Sequence, residues 1–214
     1  MGGLQRYRHI GPIYDVLSLE RILYSKPRRR LHEVIGPLPA RTILDVGCGT
    51  GLNFAGIRDL VGPGGRVIGI DASPSMLAAA RRRIRQAGWT NVTVVCADAA
   101  HLGPALQDAG VDLDHIDALI ATFVISTLTD PGSFWNSVDQ LCTRRPRLIA
   151  LADLGAVTSS GRVSRLLART LAALGGSQPA QQPWQDLSDR CSDTIVETRL
   201  GGHVRLAVGH CNGH

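Results

Sequence analysis

Residues 43–54 read ILDVGCGTGLNF, and the reading of that stretch decides the fold. A short apolar run, Ile43 to Val46 with Asp45 inside it, leads into glycines on alternate positions, Gly47, Gly49 and Gly51. Glycine removes three side chains where a strand ends, so the backbone can turn sharply and a ligand can lie against it. The dinucleotide fingerprint spaces its glycines G-x-G-x-x-G. Here the spacing is G-x-G-x-G, and Asp45 stands two residues before the first glycine. An anion beside the turn is a poor neighbour for a pyrophosphate and a good one for an ammonium group. The backbone amides opening the next helix suit a carboxylate. A ligand carrying both groups is an amino acid.

Working outward, strand-like runs end at TILDVG (42–47), RVIGID (66–71), VTVVCAD (92–98), DALIATFV (117–124) and RLIALAD (147–153). Helix-like segments fall between them, near 52–60, 74–87, 102–109 and 133–142. Ser73-Pro74 is a helix start, with serine as cap and proline in the first turn, and Gly88 ends that helix. Apolar strands alternating with helices imply βαβ units and a parallel sheet covered on both faces. At the far end, TIVETRL (194–200) and HVRLAVG (203–209) flank Gly201-Gly202, a hairpin signal. The expected architecture is α/β: a doubly wound, mostly parallel seven-stranded sheet with a C-terminal antiparallel hairpin. Apolar residues in 13–35 suit one or two amphipathic helices broken at Pro27. We therefore expect an N-terminal helical cap over 1–39, at the ligand edge, and one domain over 40–214. Residues 159–174 set a leucine face against three arginines and no acid, followed by a loop and a short helix near 184–191.

In a doubly wound sheet, ligands sit beyond the carboxyl ends of the strands, where strand order reverses. That gathers Asp45–Gly51, Asp71, Asp98 and Ala121–Thr127 around one crevice. Asp71, at the end of the second strand, can accept hydrogen bonds from both hydroxyls of a ribose. Asp98, at the end of the third, can accept from an exocyclic amine such as that of adenine. Amino acid, ribose and adenine together describe S-adenosylmethionine.

LDVGCGTG, IGIDASPSMLAAAR and VVCADAAHL, in that order and spacing, resemble the Rossmann-like (class I) S-adenosylmethionine-dependent methyltransferases. YDVLSLERILYSKPRRR, GWTNVTVVCADA and ATFVISTLTDP further resemble a bacterial branch related to phosphatidylethanolamine and quinone-biosynthesis methyltransferases. The resemblance implies that Asp45, Gly47, Cys48, Gly49 and Gly51 hold the methionine part of the cofactor. It gives Asp71 and Ala72 the ribose, with Met76 packing nearby, and Asp98 and Ala99 the adenine. Ala121, Thr122 and Phe123 would lie by the sulfonium, and Tyr14 would close over the cofactor. One departure is CTRRPRLIALAD, which has no glycine where the family usually turns into its fifth strand through Pro-Gly-Gly.

The chain has 214 residues, 44% of them hydrophobic, with no apolar run of the ~20 residues a membrane span needs and no secretory signal. We expect a cytoplasmic protein with, at most, peripheral contact with a membrane. Five scattered cysteines in no C-x-x-C arrangement fit reduced thiols. His203, His210, Cys211 and His214 match no metal-site spacing, so no metal is expected. The net charge of +5 favours anionic partners, while 4% aromatic content without aromatic–basic interleaving argues against nucleic acid. KPRRR (26–30) is either a solvated helix face or a cationic rim for the acceptor. The expected activity is methyl transfer by in-line displacement to a small-molecule or lipid acceptor, by a monomer or homodimer. Alternatives are a phosphatidylethanolamine-type N-methyltransferase, a non-catalytic cofactor-binding module and a nicotinamide oxidoreductase. No residue stands out as a base; Tyr14, Thr122, Asp153 and His32 are the catalytic candidates.

Overall fold

The computed structural model describes residues 24–144, 147–155 and 182–211. The leucine-faced segment 159–174, the loop after it, Tyr14 and the first part of the N-terminal cap lie outside the described residues. Chain order runs α1 (Ser25–Ile35), β1 (Thr42–Val46), α2 (Phe54–Val61), β2 (Arg66–Asp71), α3 (Pro74–Gln86), β3 (Val92–Cys96) and α4 (Leu102–Asp108). It continues with β4 (Ala118–Thr122), α5 (Pro131–Cys142), β5 (Arg147–Leu154), α6 (Pro183–Arg190), β6 (Cys191–Arg199) and β7 (Val204–Cys211).

The strands form one seven-stranded sheet in the order β3-β2-β1-β4-β5-β7-β6. The first five are parallel, and β7 runs antiparallel between β5 and β6. The chain builds outward from β1 to β3, then returns to lay β4 against the other side of β1. The switch point thus falls between β1 and β4, where such sheets bind ligands. This is the doubly wound architecture the alternating pattern predicts.

Alternation along each strand divides the core into two layers. Leu44, Val46, Ile68, Ile70, Leu119 and Leu151 face one way, onto Leu102 and Leu106 of α4, Phe134 and Trp135 of α5, and Leu187 of α6. Ile43, Val67, Ile120, Ala152 and Leu206 face the other way, onto Leu31 of α1, Phe54 and Ile57 of α2, and Leu77 of α3. Asp45, Gly69, Asp71 and Thr122 share the second parity. The site is therefore built under α1 and α2.

Local chemistry sets the helix starts. Ser73 caps α3 by accepting from the Met76 amide, with Pro74 following it. Asp130 accepts from the Ser133 amide at 3.2 Å, and Pro131 opens α5 two residues earlier than the periodicity indicates. α1 begins at Ser25 and carries Pro27 in its first turn, where a missing N–H costs no helical bond.

Two expectations at the C-terminal end need correction. The connection between β6 and β7 is a 3-10 turn over Leu200–Gly202, with Leu200 at φ 51, and not a two-residue Gly-Gly turn. Cys191, opening β6, and Cys211, closing β7, are directly opposite in the register and form a disulfide. Only Cys48, Cys96 and Cys142 are free. Twenty residues separate the paired cysteines, so nothing short of the hairpin register brings them together.

Candidate active site

The glycine turn leaves β1 with Gly47, Gly49 and Gly51 all left-handed, at φ 65, 54 and 79. A Cβ on Gly47 would come within 2.3 Å of Val124 Cγ2, and one on Gly51 within 2.5 Å of the Phe54 ring. A Cβ on Gly49 would meet nothing within 4 Å. Two of the glycines are thus forced by packing as well as by φ. Gly49 alone turns its bare Cα towards open space.

Beneath the turn lies a buried polar cluster. Asp45, fully buried in β1, accepts from Asn53 Nδ2 at 3.1 Å through Oδ1. The same amide nitrogen donates to Thr122 Oγ1 at the end of β4, at 2.8 Å. One amide therefore bridges the two strands that flank the switch point. Asp45 Oδ2 and Asn53 Oδ1 are buried with no hydrogen-bond partner. Burial pushes the Asp45 carboxyl up to about 7, against the opposing pull of the Asn53 bond and the nearby Arg28 charge. Native interiors rarely leave two acceptors orphaned in one cluster. A ligand ammonium, with three donors and a positive charge, would satisfy both and restore the carboxylate.

Asp71 accepts from the Gly49 amide at 2.9 Å and from the Ser73 amide at 2.8 Å. It thereby ties the glycine turn to the cap of α3, and its burial raises its pKa. Ala72 beside it is exposed, and Met76 is buried in the first turn of α3. Asp98 is exposed and accepts from the Ala100 amide at 2.9 Å, capping a 3-10 turn in which Ala99 is buried. The Cys48 amide donates to Ile70 O at 2.9 Å. Burial raises its thiol well above the ordinary range, so this cysteine packs and does not act as a nucleophile.

At the end of β4, Ala121 and Thr122 are buried and Phe123 turns left-handed, at φ 57. The Phe123 ring lies 4.5 Å from that of Tyr24, with the Arg28 guanidinium 5.0 Å from its centroid. Tyr24 Oη is 3.2 Å from His203 Nε2, at the turn into β7. Asp153, fully buried at the end of β5, accepts from the Ser126 amide at 3.0 Å and the Leu154 amide at 2.7 Å. Oδ2 thereby braces the segment after β4, while Oδ1 is held by its own strand. His32 packs against Gly56 of α2, and burial drives its pKa down to about 4.

The structure brings Asp45, Gly47, Cys48, Gly49, Gly51, Asp71, Thr122 and Phe123 to one edge of the sheet, with Met76, Asp98 and Ala99 along the ends of β2 and β3. Tyr14 lies outside the described residues. Sequence reasoning missed Asn53 and Tyr24; it read Arg28 only within the basic segment 26–30, and His203 only within a cluster that matches no metal-site spacing. Asn53 alone carried a signal, as a polar residue inside an apolar helix start just after the glycines. Among the described residues, no group of three or more His, Cys, Asp or Glu is arranged to hold a metal.

Comparison with known proteins gives the chain its family. Residues 38–163 match the family model described as a methyltransferase domain. The chain belongs to that family, with the fold of the class I S-adenosylmethionine-dependent methyltransferases. It is 34% identical over 107 residues to nocamycin O-methyltransferase of Saccharothrix syringae, covering 50% of this chain and 37% of that protein. It is 32% identical over 126 residues to aklanonic acid methyltransferase DauC of a Streptomyces species, covering 59% and 53%. The matches span about a third to a half of those relatives. A solved complex between the Haloferax volcanii Trm112 methyltransferase activator and a putative methyltransferase superposes with a TM-score of 0.69. That match covers 96% of this chain and 97% of the other, at 14% identity, and shares the fold.

Proposed function

We propose that this chain binds S-adenosylmethionine and transfers its methyl group to a hydroxyl of a small organic acceptor. The carrying observation is the Asp45–Asn53–Thr122 cluster, with two buried acceptors lacking a partner beneath an open, left-handed glycine. In this reading Asp45 and Asn53 hold the ammonium of the methionine part, and the amides after Gly47 hold its carboxylate. Asp71 keeps lone pairs for the ribose hydroxyls while its backbone bonds fix its orientation. When bound, S-adenosylmethionine supplies an activated methyl on a sulfonium sulfur. The protein's own task is then to align an acceptor with that methyl, exclude water and manage one proton.

The name of one matched relative, nocamycin O-methyltransferase, supports transfer to oxygen over a lipid amine. The basic segment 26–30 is partly engaged within the fold. Arg28 is buried against Phe123, Arg30 is paired with Glu197 at 2.7 Å, and Arg29 faces Glu33 at 3.6 Å. Lys26 and Arg29 stay exposed, so the segment keeps positive charge at the surface.

Isothermal titration with S-adenosylhomocysteine and NADH, together with labelled-methyl transfer to defined acceptors, tests the proposal. The acceptors are hydroxylated aromatic polyketides, simple amines and phosphatidylethanolamine vesicles. We expect S-adenosylhomocysteine binding and label in the hydroxylated compounds. Binding of NADH alone, or label only in the vesicles, overturns it.

A further inference from the structure

The polar pair Tyr24–His203 is not among the cofactor contacts proposed above, and its position gives it another use. Tyr24 is 8% exposed and stacks on Phe123, the residue that follows β4 at the switch point. β7 runs antiparallel to β5, so its first residues return to the carboxyl end of the parallel strands. The Gly155 amide bonds to His203 O at 2.9 Å there. A residue from just before α1 and one from the last hairpin, 179 positions apart, thus meet beside the same crevice.

A tether between α1 and the hairpin would not need a half-buried imidazole. That tie is already made on the surface by Arg30, which holds Glu197 of β6 through two bonds of 3.0 and 2.7 Å. In addition, His203 Nδ1 is buried with no partner.

We propose that Tyr24 and His203 form the proton-accepting relay for the acceptor hydroxyl. The acceptor O–H gives its proton to Tyr24 Oη while Tyr24 Oη–H gives its own to His203 Nε2. One O–H bond breaks at the acceptor and one N–H bond forms on the imidazole. Tyrosine is unchanged, and an acceptor oxyanion and an imidazolium remain. The imidazolium returns its proton to water after the product leaves. This inference rests on the reading of the chain as a hydroxyl-directed methyltransferase.

The surroundings favour an imidazole that begins neutral. Burial is the cause of its lowered pKa. Among the described residues, the charged groups on the neighbouring elements have other partners. Arg28 of α1 stands over Phe123, and Glu197 of β6 is held by Arg30 and Arg199. Asp153 of β5 turns to the Ser126 and Leu154 amides. Arg205 of β7 points to the opposite face of the sheet, over Trp184 at 4.5 Å.

The test uses Tyr24→Phe and His203→Gln in the full chain, assayed with polyhydroxyanthraquinones and with a nitrophenol already ionised at the assay pH. We expect each variant to lose on the order of 10²-fold in kcat on the neutral hydroxyl. Transfer to the ionised phenol should change by less than threefold, and S-adenosylhomocysteine affinity by less than twofold. The wild-type rate should rise with pH through the imidazole ionisation and then level, and His203→Gln should abolish that rise. By NMR, the His203 ring should titrate below the ordinary histidine range in the S-adenosylhomocysteine complex. Equal losses on ionised and neutral acceptors, or none on either, overturn the relay and leave the methyltransferase reading standing. Wild-type transfer to amines only, or to no acceptor, overturns both. Tyr24→Phe, which removes a single hydroxyl, carries the test if His203→Gln does not fold.

Discussion

Asp45 shows what the fold invests in this edge. A carboxyl whose pKa lies near 3.9 in an unfolded chain is held in the core at about 7. Between those values the folded state binds the proton and the unfolded state does not, so stability falls as pH rises from about 4 to 7. Above 7 the cost is constant. A ligand ammonium reverses the balance, because it favours the ionised form. We therefore expect S-adenosylhomocysteine affinity to rise with pH through about 7 and then level. Asp45→Asn should bind at least tenfold more weakly with no such rise, and should melt higher than wild type at pH 8 without ligand. Titration calorimetry and thermal melts across pH 5–9 check both. Asp45 was legible in the sequence because the turn marks its place two residues ahead. Asn53 was not, since its meaning depends on its amide reaching both Asp45 of β1 and Thr122 of β4. Tyr24 and His203 are linked only through tertiary structure, and in the sequence His203 stood out only as a metal ligand without partners.

Elements were legible where burial is two-sided. The central strands announce themselves as apolar runs, and Ser73-Pro74 fixes α3 by local chemistry alone. The entry to β5, lacking glycine, was the departure whose effect the sequence left open, and Arg147 supplies its logic. It opens β5 in full burial and donates to Leu141 O, at the end of α5, and to Leu113 O at 2.5 Å. One guanidinium thereby closes the last turn of a helix and pins the segment before β4, tasks a short side chain cannot do. Arg147→Met keeps much of the volume and leaves those carbonyls unpaired, at about 1–3 kcal/mol for each. We expect a lower urea midpoint by a corresponding amount. Because Arg147 sits at the amino end of β5, away from the switch point, S-adenosylhomocysteine affinity of the folded variant should change by less than twofold.

Across the whole molecule, the site is assembled from the ends of β1, β2 and β4, but it is closed by parts from opposite ends of the chain. β5 and β7 pair from Arg147↔Cys211 to Leu154↔Val204, so the seating of β7 decides where His203 stands. The hairpin is held at both ends: by the Tyr24–His203 bond near its turn, and by Cys191–Cys211 at its open end. β6 is an edge strand with Ile195 and Val196 half exposed, so apolar packing alone anchors it weakly. The cross-link restricts the unfolded chain, and for a loop of this length that is worth about 3 kcal/mol. Thiol counting decides whether it exists in solution. Without reductant, the native protein should show one rapidly reacting thiol, the exposed Cys96. Denaturant should raise the count to three, by releasing buried Cys48 and Cys142, and prior reduction should raise it to five. Reduction, or Cys211→Ser, should lower the melting temperature. Five thiols in denaturant without reductant would show that the register aligns the two sulfurs without joining them, and the hairpin would then depend on β5 pairing, on α6 packing, and on the Tyr24 and Arg30 contacts.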